Sequence, residues 1–133
     1  MNMKNSKKIK NLCKKYDVDL LILFGSRANN KHKNSSDYDI AFFSRNGLSN
    51  DDENILYKEI ISVLNFEKLD LINLKKNHSV VLRNEIFSKG ELIYESSEGL
   101  FKVIKTKVWM DYHDFKFDFG NQLKNIKRGI EKI

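Results

Sequence analysis

The sequence has no proline, only one cysteine, Cys13, and no uninterrupted apolar run longer than residues 20–24. A lone cysteine can form neither an internal disulfide nor, by itself, a structural zinc site. A membrane-spanning helix needs about 18 consecutive apolar residues, which the sequence nowhere supplies. These absences exclude a small fold stapled by disulfides or zinc, and they predict a protein without a membrane-spanning helix.

The composition fits one folded domain. The chain has 133 residues, of which 41% are hydrophobic, and this is enough to bury a core. The sequence shows no internal repeat and no low-complexity linker that would divide it. The first ten residues are basic and polar and lack the apolar stretch of a secretory signal, so we expect a cytoplasmic protein.

The chain is basic, with 24 Lys and Arg residues against 18 Asp and Glu residues and a net charge of +6. Such a charge attracts phosphate-bearing ligands or an acidic partner. Aromatic residues are not interleaved with the lysines near the amino terminus, which favours solvated helix faces over a nucleic-acid surface. Direct binding to nucleic acid is therefore not expected.

The periodicity of apolar residues predicts eight elements of secondary structure. Residues 20–24 are wholly apolar and end at Gly25, which is typical of a strand covered on both faces. The predicted order is helix 3–16, strand 20–24, strand 37–43, helix 49–65, strand 68–74, helix 78–88, strand 92–94 and a helix from residue 100. This mixture predicts an α/β (α+β) fold with a small sheet, flanking helices and a long C-terminal helix.

The last predicted helix carries more apolar surface than one packed face requires. Its main stripe repeats at threes and fours from residue 100, with a break expected at Gly120. A second stripe contains Val103, Met110 and Phe117, seven residues apart, with Trp109 beside them. The second stripe is either part of the core or a surface that binds a partner.

Five residues form the constellation that indicates chemistry. Gly25 and Ser26 follow a buried strand, where backbone N–H groups and a hydroxyl can converge on a phosphate. Asp37 and Asp39 are two residues apart on a strand, so their carboxylates share one face within about 7 Å. Asp70 adds a third carboxylate on another strand. Three hard oxygen ligands suit Mg²⁺, and this assembly suits two-metal nucleotidyl transfer.

Each of these motifs alone is weak evidence of function, because a Gly-Ser pair or an Asp-x-Asp triplet is usually only a turn. Together, Gly25-Ser26, ten further residues, the Asp-Tyr-Asp triplet at 37–39 and the Leu-Asp-Leu triplet at 69–71 resemble the signature of the polymerase-beta-like nucleotidyltransferases. The likeness is closest to their minimal MNT members and covers about residues 19–94. It implies a nucleotidyltransferase-type mixed sheet.

The resemblance also implies ligands and roles. ATP, a nucleoside triphosphate, is the implied substrate and Mg²⁺ the implied cofactor. Gly25 and Ser26 would contact the phosphates, and Asp37, Asp39 and Asp70 would hold the metal ions and carry the catalysis.

The chain departs from the family pattern beside the phosphate loop. Many relatives have Arg-Gly where this chain has Asn29 and Asn30. A basic contact to the triphosphate would then come from Arg27, Lys31 or Lys33. Arg27 is the nearest of the three to Ser26 and is our candidate for nucleotide binding.

The size of the chain narrows the implied function. Only a helical extension, residues 100–133, remains after a catalytic core at residues 1–99. Stand-alone MNT proteins of this length resemble the antitoxins of HEPN/MNT toxin-antitoxin pairs. In those pairs AMP is transferred to a tyrosine of the HEPN ribonuclease. The implied partner is therefore a HEPN-type toxin, in a hetero-oligomer.

Two other functions stay open at this stage. The chain could modify a small molecule of the aminoglycoside type or the end of an RNA, or it could be a non-catalytic module that only masks a toxin. Intact carboxylates at all three positions disfavour the non-catalytic module.

Overall fold

The computed structural model describes residues 6–25, 38–65 and 68–131, with side chains described as far as residue 125. Its elements follow the predicted order and agree with the predicted intervals apart from a few residues at their ends. They are α1 (Lys7–Lys15), β1 (Leu20–Phe24), β2 (Tyr38–Phe43), α2 (Asn50–Leu64), β3 (Leu69–Asn73), α3 (Val80–Lys89), β4 (Glu91–Glu95) and α4 (Leu100–Glu131). The expected α/β fold is confirmed.

The strands form one mixed sheet in the order β3-β2-β1-β4. β1 runs antiparallel to both of its neighbours, whereas β2 and β3 are parallel. Since β1 lies inside the sheet with helices on both faces, all five of its side chains are buried. This position explains why its sequence is apolar without alternation.

The helices divide between the two faces of the sheet, and alternate strand residues enter two separate cores. α1 and α2 cover one face, where the core includes Ile9, Cys13, Leu21, Leu23, Ile40, Phe42, Leu56 and Ile60. α3 and α4 cover the other face, where the core includes Leu20, Ile22, Phe24, Ala41, Leu74, Ile86, Phe87 and Val108.

Side chains supply the hydrogen bonds that the helix starts lack. The hydroxyl of Ser49, predicted to begin α2, accepts from the N–H of Asp52 at 3.1 Å. Ser6 and Ser79 accept likewise from the amide three residues on, at 3.3 and 3.2 Å. α4 begins differently, because the carboxylate of Glu95 accepts two backbone N–H groups at 3.0 Å each. These two hydrogen bonds connect the last residue of β4 to the start of α4.

Two glycines lie in or next to helices. Gly90 follows the last residue of α3 with a φ of −74°, so no left-handed conformation is involved. A Cβ at Gly90 would lie 2.6 Å from Cγ2 of Ile22 and would overlap the carbonyl oxygen of Ile86, so the helix end needs the missing side chain. The break expected at Gly120 is wrong, because α4 is continuous. Glycine weakens a helix by about 1 kcal/mol but keeps its N–H donor, which is too little to end this helix.

Among the residues of α4 whose side chains the structure describes, 100–125, mainly the first part packs against the rest of the chain. Leu100, Phe101 and Ile104 are partly buried against the core on this face, and Val108 is buried in it. The ring of Phe101 stacks on that of Phe87 with centroids 5.4 Å apart. The helix has 32 residues, which corresponds to about 48 Å, so most of its length projects beyond the sheet.

The projecting part keeps large apolar side chains in solvent. Trp109, Met110 and Phe117 are 55%, 55% and 69% exposed, so the second stripe is not core in this chain. The main stripe also leaves the core, because Phe115, Phe119 and Leu123 are exposed. In the part of the chain that the structure describes, no helix has the length and apolarity needed to cross a membrane.

Candidate active site

Two of the three predicted carboxylates lie side by side. Asp39 and Asp70 are register partners on the parallel strands β2 and β3, whose backbones lie about 4.8 Å apart. Each alternates with residues of the core under α3 and α4, namely Ala41 on β2 and Ile72 on β3. The two carboxylates therefore lie on the same face of the sheet, at the end where both strands begin.

Gly25 lies directly against the Asp39 carboxylate. β1 ends at Phe24, the register partner of Asp39, and Gly25 then turns the chain with φ +75°. A Cβ added to Gly25 would overlap Oδ2 of Asp39 and lie 3.1 Å from its Cγ. Glycine is thus required twice, once for the left-handed backbone and once to leave room for the carboxylate.

The exposure of the two aspartates differs. Asp39 is half-buried, while Asp70, on the edge strand β3, is exposed. Within the described ranges no group of three His, Cys, Asp or Glu side chains could hold a metal ion. Asp37, the third predicted ligand, lies outside the described residues, as do Ser26 and Arg27. The described donors fit Mg²⁺ in kind, because two carboxylates on adjacent strands offer hard oxygen ligands from one side.

Four strands converge at this end of the sheet. β1 ends there, and β2, β3 and β4 begin there, since Glu91 of β4 pairs with Leu23 of β1. Gly90 packs beside the same end, because a Cβ added to it would lie 3.2 Å from the carbonyl oxygen of Leu23. Gly90 thus lets the end of α3 approach β1 two residues before Gly25. No local sequence pattern indicates this packing role of Gly90.

Hydrogen bonds and an ion pair hold the opposite end of β3, where Asn73 lies. The amide of Asn73, a buried polar residue, donates to Oε2 of Glu53 at 3.3 Å, and its Oδ1 accepts from the N–H of Lys75 at 3.0 Å. Lys76 forms an ion pair with the same Glu53 oxygen at 3.3 Å. The start of α2 therefore holds the strand that presents Asp70. No sequence signal distinguished Asn73 from the other polar residues that end strands.

The one cysteine takes no part in this site. Cys13 is buried between α1 and the sheet, and burial raises the pKa of its thiol to about 12. A thiol that stays protonated at neutral pH is a poor nucleophile and metal ligand. Cys13 is instead a residue of the hydrophobic core.

One family of known proteins matches most of this sequence. A sequence model of the family described as polymerase beta, nucleotidyltransferase matches residues 7–99, more than half of the chain. No curated protein matches the sequence significantly. The matched residues include all four strands, the Gly25 turn and both described aspartates.

Solved structures share the fold at low sequence identity. A chain of a toxin-antitoxin complex crystallised with AMP-PNP has a TM-score of 0.73 and 22% identity, covering 92% of this chain and 98% of that one. A chain from tri-AMPylated Shewanella oneidensis HEPN toxin in complex with MNT antitoxin has a TM-score of 0.69 and 22% identity, covering 96% and 99%. These solved structures share the fold of the chain, and the family model that matches residues 7–99 shows that the chain belongs to the polymerase beta family of nucleotidyltransferases.

Proposed function

We propose that this chain is a Mg²⁺-dependent adenylyltransferase that moves AMP from ATP to a tyrosine of a HEPN-type ribonuclease toxin and thereby acts as its antitoxin. Residues 1–99 carry the transfer chemistry, and residues 100–133 contribute to the contact with the toxin in a cytoplasmic hetero-oligomer. The observation that carries the proposal is the pairing of Asp39 with Asp70 beside Gly25, at an accessible end of the sheet.

The nucleotide would bind at the turn that follows β1. Backbone N–H groups at Gly25 and the hydroxyl of Ser26 contact the phosphates in this proposal, and Arg27 adds a positive charge. Asp37, Asp39 and Asp70 would hold Mg²⁺. When bound, Mg²⁺ supplies the charge that favours the attacking oxygen and the departing pyrophosphate.

The transfer itself is a substitution at the α-phosphorus of ATP. The tyrosine oxygen forms a bond to that phosphorus while the bond to the oxygen bridging the β-phosphorus breaks. Pyrophosphate leaves with the bonding electrons, and the hydroxyl proton passes to a carboxylate. Asp70 suits that role because it is the exposed member of the pair and can meet an acceptor arriving from solvent.

Two observations favour a protein as the acceptor. The structural neighbours include a complex in which a HEPN toxin carries AMP groups beside an MNT antitoxin. The projecting part of α4 exposes Trp109, Met110 and Phe117, and large side chains of this kind dominate protein-protein contacts. A small-molecule transferase has no evident use for such a surface.

The test is transfer of label from α-labelled ATP to a candidate toxin, a small helical protein with an Arg-x4-6-His motif. We expect label on the toxin with Mg²⁺ and none after chelation. Asp39→Asn should abolish transfer, while Asp51→Asn, which removes the same charge from an exposed position on α2, should leave it unchanged.

The alternative acceptors are outcomes of the same test. Label on an aminoglycoside-like alcohol or an RNA end, with the toxin unlabelled, would replace the protein acceptor while keeping the enzyme class. Toxin inhibition that survives Asp39→Asn without any transfer would show a masking module instead.

A further inference from the structure

One edge of the sheet is open. β4 is the last strand in the sheet order, and no strand in the described ranges pairs with its outer side. Its central residues, Leu92, Ile93 and Tyr94, include neither a charge nor a proline, although glutamates stand at both ends of the strand and Ile93 is the extra residue of a β-bulge opposite β1. The outer backbone groups of β4 are thus a template for an added strand.

A groove follows this edge. It has a volume of about 500 Å³ and is lined by five consecutive residues, 92–96, together with Lys10 and Lys14 of α1. Because four of these five residues belong to β4, the groove runs along the strand rather than across it. Its long, open shape suits an extended polypeptide segment.

The charge of the groove is positive. Lys10 and Lys14 are exposed, and neither has an ion-pair partner among the described residues. Lys15, on another side of α1, pairs with Glu59 at 3.4 Å. The acidic group in the groove, Glu95, already accepts two backbone N–H groups at the start of α4. The groove therefore offers two uncommitted ammonium groups to an incoming segment.

The spacing of Lys10 and Lys14 along the axis of α1 is close to that of alternate residues on a strand. Residues four apart on a helix are separated by about 6 Å along its axis. Side chains two apart on an extended strand are separated by about 6.7 Å and point to the same side. Carboxylates at alternate positions of an added strand can therefore meet Lys10 and Lys14 together, whereas adjacent carboxylates would point to opposite sides.

We propose that the outer edge of β4 binds an extended acidic segment of the partner protein, with acidic residues at alternate positions facing Lys10 and Lys14. β4 begins at the end of the sheet that carries Gly25, since Glu91 pairs with Leu23. A segment added there would lie three strand spacings from Asp39, roughly 14 Å. The segment would bring the acceptor region toward the nucleotide, and in this respect the inference rests on the proposed function.

The first experiment measures binding alone. The probe is a capped nine-residue peptide with glutamates at two alternate positions and valine or threonine around them. We expect amide chemical-shift changes in residues 91–96 on titration, together with slower amide hydrogen exchange in β4. An otherwise identical peptide with adjacent glutamates should bind more weakly, and a peptide N-methylated along one edge should not bind.

Variants test the lysines. The double variant Lys10→Glu/Lys14→Glu should weaken peptide binding by about tenfold or more, because like charges then face each other. Lys8→Glu is the matched control, since it is exposed on the same helix but two residues from Lys10 and hence on the other side. It should change binding less than about twofold at moderate salt.

Three results would overturn the inference. They are no peptide binding to the wild type, equal binding of the N-methylated peptide, or equal weakening by Lys8→Glu. Preferential binding of a short oligonucleotide at Lys10 and Lys14, without slower exchange in β4, would assign the groove to phosphates instead.

Transfer assays separate this inference from the function on which it rests. Loss of transfer in Asp39→Asn with full transfer in Lys10→Glu/Lys14→Glu would reject the groove and keep the enzyme. Peptide binding by a wild-type chain that transfers no AMP to any partner would keep the groove and reject the proposed acceptor.

Discussion

The aspartate end of the sheet and the projecting part of α4 are built in opposite ways. At the sheet end, strand pairing places Asp39 beside Asp70, and any side chain at position 25 would overlap the Asp39 carboxylate. Between Val108 and residue 125, α4 contributes no buried residue to the core, and most of its large apolar side chains are exposed. We therefore expect small substitutions at the aspartate end of the sheet to disturb the site. Substitutions on the projecting part of α4 should leave the stability of the fold nearly unchanged.

The largest effect should come from the carboxylates. We expect Asp39→Asn to lower AMP transfer about 10³-fold, because the variant lacks a fixed charged group that stabilises the transition state. Asp70→Asn should lower it about 10²- to 10⁴-fold if Asp70 accepts the proton. Single-turnover transfer measures both, and ATP binding should survive in Asp70→Asn. Retained transfer in either variant would contradict the assignment of that residue.

The projecting helix should show the opposite pattern. Changing Trp109, Met110 and Phe117 together to polar residues should weaken partner binding about 100-fold. The free energy of unfolding should change by less than about 0.5 kcal/mol per site, because these side chains are exposed. Val108→Ser, on the same helix but buried, is the control and should be strongly destabilising. Calorimetry and urea unfolding separate the two outcomes, and a large loss of stability in the triple variant would refute the surface role.

Substitution of two glycines with positive φ, Gly25 and Gly99, tests whether the space at Gly25 positions the Asp39 carboxylate. Gly25→Ala and Gly99→Ala should each cost about 1–2 kcal/mol of stability for the left-handed backbone. Only Gly25→Ala should also impair transfer, because its Cβ would overlap the Asp39 carboxylate, while a Cβ at Gly99 has nothing within 4 Å. Equal transfer by the two variants would show that the position of Asp39 tolerates displacement.

The smallest effect concerns Cys13, which lies in neither region. Burial raises its pKa from an ordinary 9.0 to about 12. Between these values the unfolded chain releases the thiol proton while the folded chain keeps it, so rising pH favours unfolding. The stability of the wild type relative to Cys13→Ala should fall above pH 9 by about 1.4 kcal/mol per pH unit. Urea unfolding at pH 8 and pH 10.5 checks this, and an unchanged difference would contradict the raised pKa.

Much of the fold is predictable because it depends on local periodicity. The apolar run that forms β1 and the alternation in β2 and β3 identify the strands, and Ser49 marks the start of α2. The sequence also places Asp39 and Asp70 near the beginnings of two strands, whereas their pairing in register depends on how the strands associate.

Other features depend on contacts between distant residues, which no local pattern encodes. The overlap of a Gly25 side chain with Asp39, the packing of Gly90 on Ile22 and the use of Glu95 to begin α4 are of this kind. The main stripe of α4 could not reveal that Phe115 is exposed, because its apolar pattern continues past Val108, a buried core residue. Asp37, Ser26 and Arg27 stay predictions.

The most direct measurement is the intact mass of the toxin after co-expression with the wild-type chain or with Asp39→Asn. We expect the toxin from the wild-type culture to be heavier by one or more AMP groups, which peptide mapping places on tyrosine. The toxin from the Asp39→Asn culture should be unmodified. An unmodified toxin that still binds the wild-type chain and is silenced by it would contradict transfer to the partner as the function of this protein.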